Sequence, residues 1–249
     1  MDRETRVSWT ERVKAAALDK GADVVGIGNI ERWEGAPLQM DPKQMMPECR
    51  SVIGLVFRVF RGSLRGIEEG THFANYAAQG YGAITYLHAP PVLRHVCRLI
   101  EDAGYEANPH GQQDEWRAID NPGEMKVRHS VPVAPGRAKP DVMLHHRIGG
   151  FLCGLGEIGY SKMLLTPQFG PRNRVFFILT EMDLEPDPIY DGPPLCNRCM
   201  ACVKACPGKA ISEHETVEVD LAGHKVEWGK LNSFNCDIAF RGGGEISHH

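Results

Sequence analysis

Cys196, Cys199, Cys202 and Cys206, followed by Pro207, fall within twelve consecutive residues in the spacing C-x2-C-x2-C-x3-C-P. Short loops of this kind let three thiolates converge on three irons of one cubane iron–sulfur cluster. The last cysteine of such a run often points away toward a second cluster. The run therefore marks a redox centre and leaves its fourth ligand to be found, with Cys206 and Cys236 as the two candidates. Two other uses of clustered cysteine fit less well. Zinc ribbons and fingers use two separated pairs rather than three consecutive steps. Disulfides belong to oxidising compartments, whereas the start of this chain is charged and lacks the apolar segment of a secretory signal.

The remaining cysteines point to one cluster, with a second possible. Cys97 sits in the helical run VLRHVCRLI, where a free thiol behaves as a small buried hydrophobe, and Cys49 and Cys153 lie far away in the sequence. Missing C-terminal cysteines would restore a second cluster if the chain is a piece of a longer one. The wider composition excludes several classes. The chain has 249 residues, 42% of them apolar, enough for a substantial core. With 28 basic and 32 acidic residues, net charge −4, there is no global field to attract nucleic acid. Arg58, Arg61 and Arg65 read as a solvated face. No stretch approaches the roughly 20 apolar residues of a membrane span, so a cytoplasmic location without a membrane partner is expected.

The elements that must position the cysteines alternate between helix and strand. Trp9, Val13, Ala16 and Ala17 recur at helical spacing, and Gly21 ends that segment before a short strand over residues 22–30. Residues 51–60, SVIGLVFRVF, predict a buried central strand, and residues 174–180, RVFFILT, a second. Residues 71–104 are helical in pattern and broken in two by Pro90 and Pro91. Residues 108–140, rich in Pro, Gly and Asn, predict a long irregular loop. After the cysteines, residues 216–228 predict a hairpin about Ala222 and Gly223, then a loose glycine-rich end.

The second informative segment, residues 151–173, reads FLCGLGEIGYSKMLLTPQFGPRN. By itself its glycine spacing shows only tight turns or a close approach of something to the backbone. No clear strand precedes Gly154, Gly156 and Gly159, so they make a poor dinucleotide fingerprint.

The order of this glycine segment, a TPxFGxR-like turn, a strand and CNRCMACVKACPGKAI resembles the corrinoid-dependent iron–sulfur reductases, the family of epoxyqueuosine reductase and the reductive dehalogenases. The upstream PECRSVIGLVFRVFRG resembles their first core strand, so the likeness spans most of residues 47–211. It implies a mixed α/β (α+β) fold: a nitroreductase-like cobalamin-binding domain over residues 1–185, with an appended ferredoxin-like iron–sulfur module and tail over 186–249. It implies a 4Fe–4S cluster and cobalamin, electrons passing from cluster to cobalt and on to a small organic substrate. An external donor such as ferredoxin or flavodoxin would supply them.

The resemblance assigns Leu155, Gly156, Glu157, Ile158, Gly159, Thr166, Gly170 and Arg172 to the corrin surface. Where epoxyqueuosine reductase has an Asp-Ser-x-Pro-Val-like motif with a proton-donating aspartate, this chain reads His129, Ser130, Val131, Pro132, Val133. His129 is therefore the first candidate for the general acid. Dehalogenases use a tyrosine, for which Tyr76 and Tyr81 in FANYAAQGYG are candidates. His145 and His146 precede the glycine segment, and at most one of two adjacent histidines faces a cofactor. The altered acid position, and the absence of the family's C-terminal tRNA-binding repeats, argue against nucleic acid as a partner. Two other functions stay open: an electron-transfer or corrinoid-carrying protein without its own substrate, and a nitroreductase-like flavin enzyme.

Overall fold

The computed structural model describes residues 1–111, 131–140 and 142–240, together with the backbone of two strands, Arg117–Asn121 and Glu124–Val127. In chain order the elements are α1 (Arg3–Asp19), β1 (Val24–Asn29), β2 (Ser51–Arg58), α2 (Arg61–Glu68), a π-helical segment (Tyr76–His88), α3 (Ala89–Glu101), β3 (Ala107–His110), β4 (Arg117–Asn121) and β5 (Glu124–Val127). There follow α4 (His146–Leu152), β6 (Glu157–Ile158), β7 (Leu164–Leu165), β8 (Asn173–Thr180), α5 (Ala201–Lys204), β9 (Ile211–Leu221), β10 (His224–Leu231) and α6 (Ser233–Phe240).

The main sheet has the order β1-β2-β8-β3, with every neighbouring pair antiparallel. An antiparallel strand with one wet face alternates apolar and polar residues, yet β2 is buried at all positions except its last, Arg58. Both of its faces are covered, which explains the unbroken apolar run. Ile53, Leu55 and Phe57 join Phe176 and Ile178 of β8 in one core, closed by α1 and α3 through Val13, Ala17, Val92, Val96 and Ile100. Val52, Val56, Val175, Phe177 and Leu179 face the opposite core with Phe151, Leu152, Leu155 and Leu164. Val226 and Trp228 of β10 are buried in that second core, so the segment after the cysteines docks on the sheet.

Glycine at position 54 is what lets the segment after α4 lie flat on the sheet. A Cβ there would sit 2.9 Å from Leu155 Cδ1 and 3.2 Å from Cys153 Cβ.

The prolines 90 and 91 stand in the first turn of α3, where a missing N–H costs nothing, and so mark a helix start at Ala89. The C-terminal hairpin turns on Ala222 and Gly223, both at positive φ (53° and 82°), the geometry of a two-residue turn matched to strand twist. Two expectations need correction. Residues 108–140 are not one irregular loop: their first residues complete β3 on the sheet edge, and β4 and β5 pair as a hairpin. Pro109 is tolerated in β3 because that strand pairs on one side only. After the C-terminal hairpin residues 233–240 form α6, where no helix was expected, and the glycine-rich end expected to be loose lies outside the described residues. Among the described residues no helix is long and apolar enough to cross a membrane.

Candidate metal and cofactor site

The cysteine run leaves the sheet through a strap that fixes its starting point. Asp187 N–H donates to Ile27 O at 2.9 Å, and its carboxylate accepts from Ile27 N at 2.7 Å and pairs with Lys14. Arg32, half-buried, spans the same junction by donating to Leu152 O and to Asp187 O, each at 2.6 Å. From there the chain reaches Cys196, whose N–H donates to the Glu157 carboxylate and whose Sγ accepts the Tyr160 N–H at 3.4 Å. Arg198 and Met200, on either side of Cys199, both adopt left-handed backbone (φ 52° and 59°), which reverses the chain between Cys196 and Cys202. Cys206 Sγ accepts the Ala210 N–H at 3.3 Å. Backbone N–H groups aimed at sulfur are the donors that stabilise anionic thiolates and tune a cluster.

The helix carrying Cys236 lies against the Cys206 turn: a Cβ on Gly208 would stand 2.6 Å from Asn235 O and 2.9 Å from Ala239 Cβ. Cys199 and Cys236 are exposed, and Cys196, Cys202 and Cys206 are partly so. The other three thiols are buried, and burial pushes Cys49 up to about 11, Cys97 up to about 12 and Cys153 further. They are held as neutral hydrophobes. Among the described residues no three His, Cys, Asp or Glu close into the shell of a single metal ion. A cubane presents separate iron corners, so its thiolates stand wider apart than the ligands of one ion. Five accessible cysteines with N–H···S bonds at both ends of the run fit that larger group.

The glycine segment is spoken for by the chain itself. Gly154 and Gly156 have positive φ (75° and 155°), and a Cβ on them would fall 2.2 Å from Pro188 O and 1.9 Å from Leu165 O. A Cβ on Gly159 would meet Leu165 Cδ1 at 2.8 Å. Leu155 and Ile158 are buried in the second core, and Glu157 is committed to Cys196. Thr166 is buried and accepts the Phe169 N–H on Oγ1 at 3.1 Å, while Arg172 donates to Val59 O at 2.9 Å. Gly170 differs: at φ 56° it has nothing within 4 Å of its Cβ position, an open corner. Phe169 beside it and the exposed Phe60 both face the Arg58 guanidinium, at 5.8 and 5.4 Å. Of the three glycines among the proposed corrin contacts, Gly170 alone has open space at its Cβ position.

A different surface collects the tyrosines. Tyr76, Tyr81 and Tyr86 are spaced by five residues, and π-helical i→i+5 bonding places such positions on one side of the helix, where an α-helix would scatter them. The Arg174 guanidinium lies over the Tyr81 ring at 4.3 Å and interacts with Tyr76 and Tyr86 as well. Tyr81 and Tyr86 meet edge to face at 6.3 Å. Near the same end of β8 stand His146, its ring 5.8 Å from Phe177, and His110, the strand partner of Phe177. His110 is 7% exposed, and its Nε2 has no hydrogen-bond partner. Burial lowers His110 and His146 to about 4 and His145 to about 3, so all three are neutral at physiological pH. His145 caps α4, its Nδ1 accepting from Ile148 N at 3.3 Å, which leaves the proton on Nε2. His129 lies outside the described residues. Arg174, Tyr86 and His110 carried no signal beyond the five-residue tyrosine spacing.

No protein-family model matches the chain. Among curated proteins, an epoxyqueuosine reductase of Gloeobacter violaceus is 37% identical over 207 residues, covering 81% of this chain and 54% of that protein. Another, of a Synechococcus species, is 24% identical over 252 residues, covering 91% of this chain and 68% of the relative. A tetrachloroethene reductive dehalogenase of Sulfurospirillum multivorans is 42% identical over 93 residues, 35% of this chain and 18% of that one. Together these matches support the epoxyqueuosine reductase/reductive dehalogenase-like family for this chain.

Solved structures share the family's fold. A reductive dehalogenase whose structure bears on B12-dependent dehalogenation superposes with TM-score 0.66 at 20% identity, covering 95% of this chain and 30% of that one. An epoxyqueuosine reductase superposes with TM-score 0.52 at 14% identity, covering 92% and 56%. The chain thus spans about half the length of the Gloeobacter relative (54%) and under a third of the dehalogenase structure (30%).

Proposed function

We propose that this family member is a cobalamin-dependent iron–sulfur reductase. One 4Fe–4S cluster is held by Cys196, Cys199 and Cys202 with Cys206 or Cys236, and electrons from an external donor such as ferredoxin or flavodoxin pass to cobalt and on to a small organic substrate. The observation that carries the reading is the cysteine run itself, accessible, supplied with N–H···S bonds from Tyr160 and Ala210, and docked on the sheet through Val226 and Trp228. On this reading residues 1–185 form the nitroreductase-like corrinoid domain and residues 186–249 the ferredoxin-like module. Cobalamin would supply a reducible cobalt, and the open corner at Gly170 is the part of the glycine segment best suited to meet a broad flat ligand.

For the proton, the tyrosine face offers the better-supported source among the described residues. Tyr81 lies under Arg174, whose positive charge over the ring would favour the phenolate and so ease release of the proton. His129 remains the alternative acid. The expectation of no nucleic-acid partner is in tension with the epoxyqueuosine reductase relatives, so a tRNA stem loop is the second substrate class to assay.

The ligand assignment is tested by Cys199→Ser after anaerobic cluster reconstitution. Loss of most bound iron and of the brown absorbance is expected. Full iron content in the variant would remove Cys199 from the ligand set.

A further inference from the structure

The charge of the cysteine module runs against that of the chain. Net charge is −4 over the whole sequence, yet residues 192–212 hold Arg198, Lys204 and Lys209 and no Asp or Glu. All three side chains are exposed. Arg198, between Cys196 and Cys199, pairs with Glu227 of β10. Lys225 and Lys230 on the adjoining hairpin are paired in the same way, with Glu218 and Glu215. Lys204 and Lys209 differ: among the described residues neither forms an ion pair.

Backbone hydrogen bonds hold both lysines at Cys206. Lys204 ends α5, the turn that carries Cys202, and the Cys206 N–H donates to Val203 O at 3.3 Å. The Lys209 N–H donates to Cys206 O at 3.0 Å, and the next N–H, that of Ala210, is the donor to Cys206 Sγ. Around them the surface is low: the side chains of Ala201, Ala205 and Pro207 are exposed, as is that of Cys199. Short side chains let the surface of a partner come close to the thiolates, and two uncompensated cations set the charge that partner must carry.

We propose that the surface of residues 199–209 is the docking face for the external electron donor, and that this donor is a protein with carboxylates around its redox group. The inference rests on the cluster reading above. A cubane with four thiolate ligands is an anion, so a carboxylate-bearing donor is repelled unless cations rim its approach. Steering by exposed lysines acts on the rate of encounter and is screened by salt. Electron-transfer complexes bury small areas and are weak, so complementary charge carries much of their recognition. In the docked pair one electron leaves the redox group of the donor and enters the cluster; no covalent bond forms or breaks.

The test uses the iron-loaded protein and a flavodoxin with an acidic rim around its flavin, oxidised for calorimetric affinity and fully reduced for stopped-flow reduction of the cluster. Combining Lys204→Glu with Lys209→Glu is expected to lower the affinity and the second-order rate about tenfold each at about 20 mM salt. Raising salt to about 0.5 M should lower the wild-type rate by a similar factor and leave the variant nearly unchanged. Lys204→Arg with Lys209→Arg is expected to keep the wild-type values. Unchanged affinity and rate in the iron-loaded Glu variant, or a wild-type protein that does not bind the flavodoxin at low salt, would overturn the inference and leave the cluster reading standing. A slower rate at unchanged affinity would overturn it in favour of a shifted cluster potential. Loss of binding to a tRNA stem loop, with flavodoxin binding unaffected, would assign the two cations to nucleic acid instead. A wild-type chain that holds no iron would overturn both readings. Should the Glu variant lose its iron, Lys204→Gln with Lys209→Gln decides the matter, with a fall of about threefold expected.

Discussion

Removing the Asp187 carboxylate should loosen the point at which the cysteine module leaves the sheet. The side chain accepts the Ile27 N–H at 2.7 Å and pairs with Lys14, the two side chains being 29% and 27% exposed. A hydrogen bond to a charged group contributes about 1.5–3 kcal/mol, and a stranded buried N–H costs about 1–3 kcal/mol. The two contributions overlap, so Asp187→Ala should cost about 3 kcal/mol. Asp187→Asn keeps a neutral acceptor for Ile27 and loses the Lys14 charge pair, so about half that is expected. For a chain of this size each kcal/mol lowers Tm by about 2–4 °C, giving a fall of about 6–12 °C for the alanine variant. Calorimetry of the apo chain, with urea unfolding to check that m is unchanged, measures both variants. A fall of less than about 1 °C in Asp187→Ala, or equal falls in the two variants, would refute the argument that this carboxylate clamps strand to strap.

Two further outcomes follow from the titratable groups. His110 and His146 at about 4 and His145 at about 3 bind fewer protons folded than unfolded, where the ordinary value is 6.5. Their contribution is therefore present above about pH 6.5 and is lost as pH falls toward 4. Urea midpoints measured across that range should drop, and His146→Gln should flatten the profile; an unchanged slope would show that His146 titrates normally in the fold. In turnover assays of the cofactor-loaded protein, Tyr81→Phe should lower kcat by about 10²-fold or more, while Arg174→Gln should lower it less and leave bound iron unchanged. Full activity in Tyr81→Phe would pass the proton role to His129 or another group.

The parts of the fold that read directly from sequence are those whose environment is uniform along the element. Residues 52–57 of β2 and 175–179 of β8 are unbroken apolar runs because each strand separates two cores, and the C-terminal hairpin is announced by Ala222 and Gly223 at its turn. The cysteine run is legible because ligand spacing is local. β3 was hidden because an edge strand of four residues containing Pro109 has no apolar pattern to show. The glycines of residues 154–159 correctly signal a close approach, yet glycine does not say what approaches: at 154, 156 and 159 it is Pro188 and Leu165 of the same chain. Tyr76 and Tyr81 are visible as candidates, whereas Arg174 joins them only through the sheet.

The most direct measurement is iron and cobalt content per chain after anaerobic reconstitution, incubation with cobalamin and removal of unbound cofactor. The account requires about four irons and one cobalt per chain. Four irons without cobalt would contradict the corrinoid reading and leave an electron carrier, and zinc in place of iron would contradict the account at its centre.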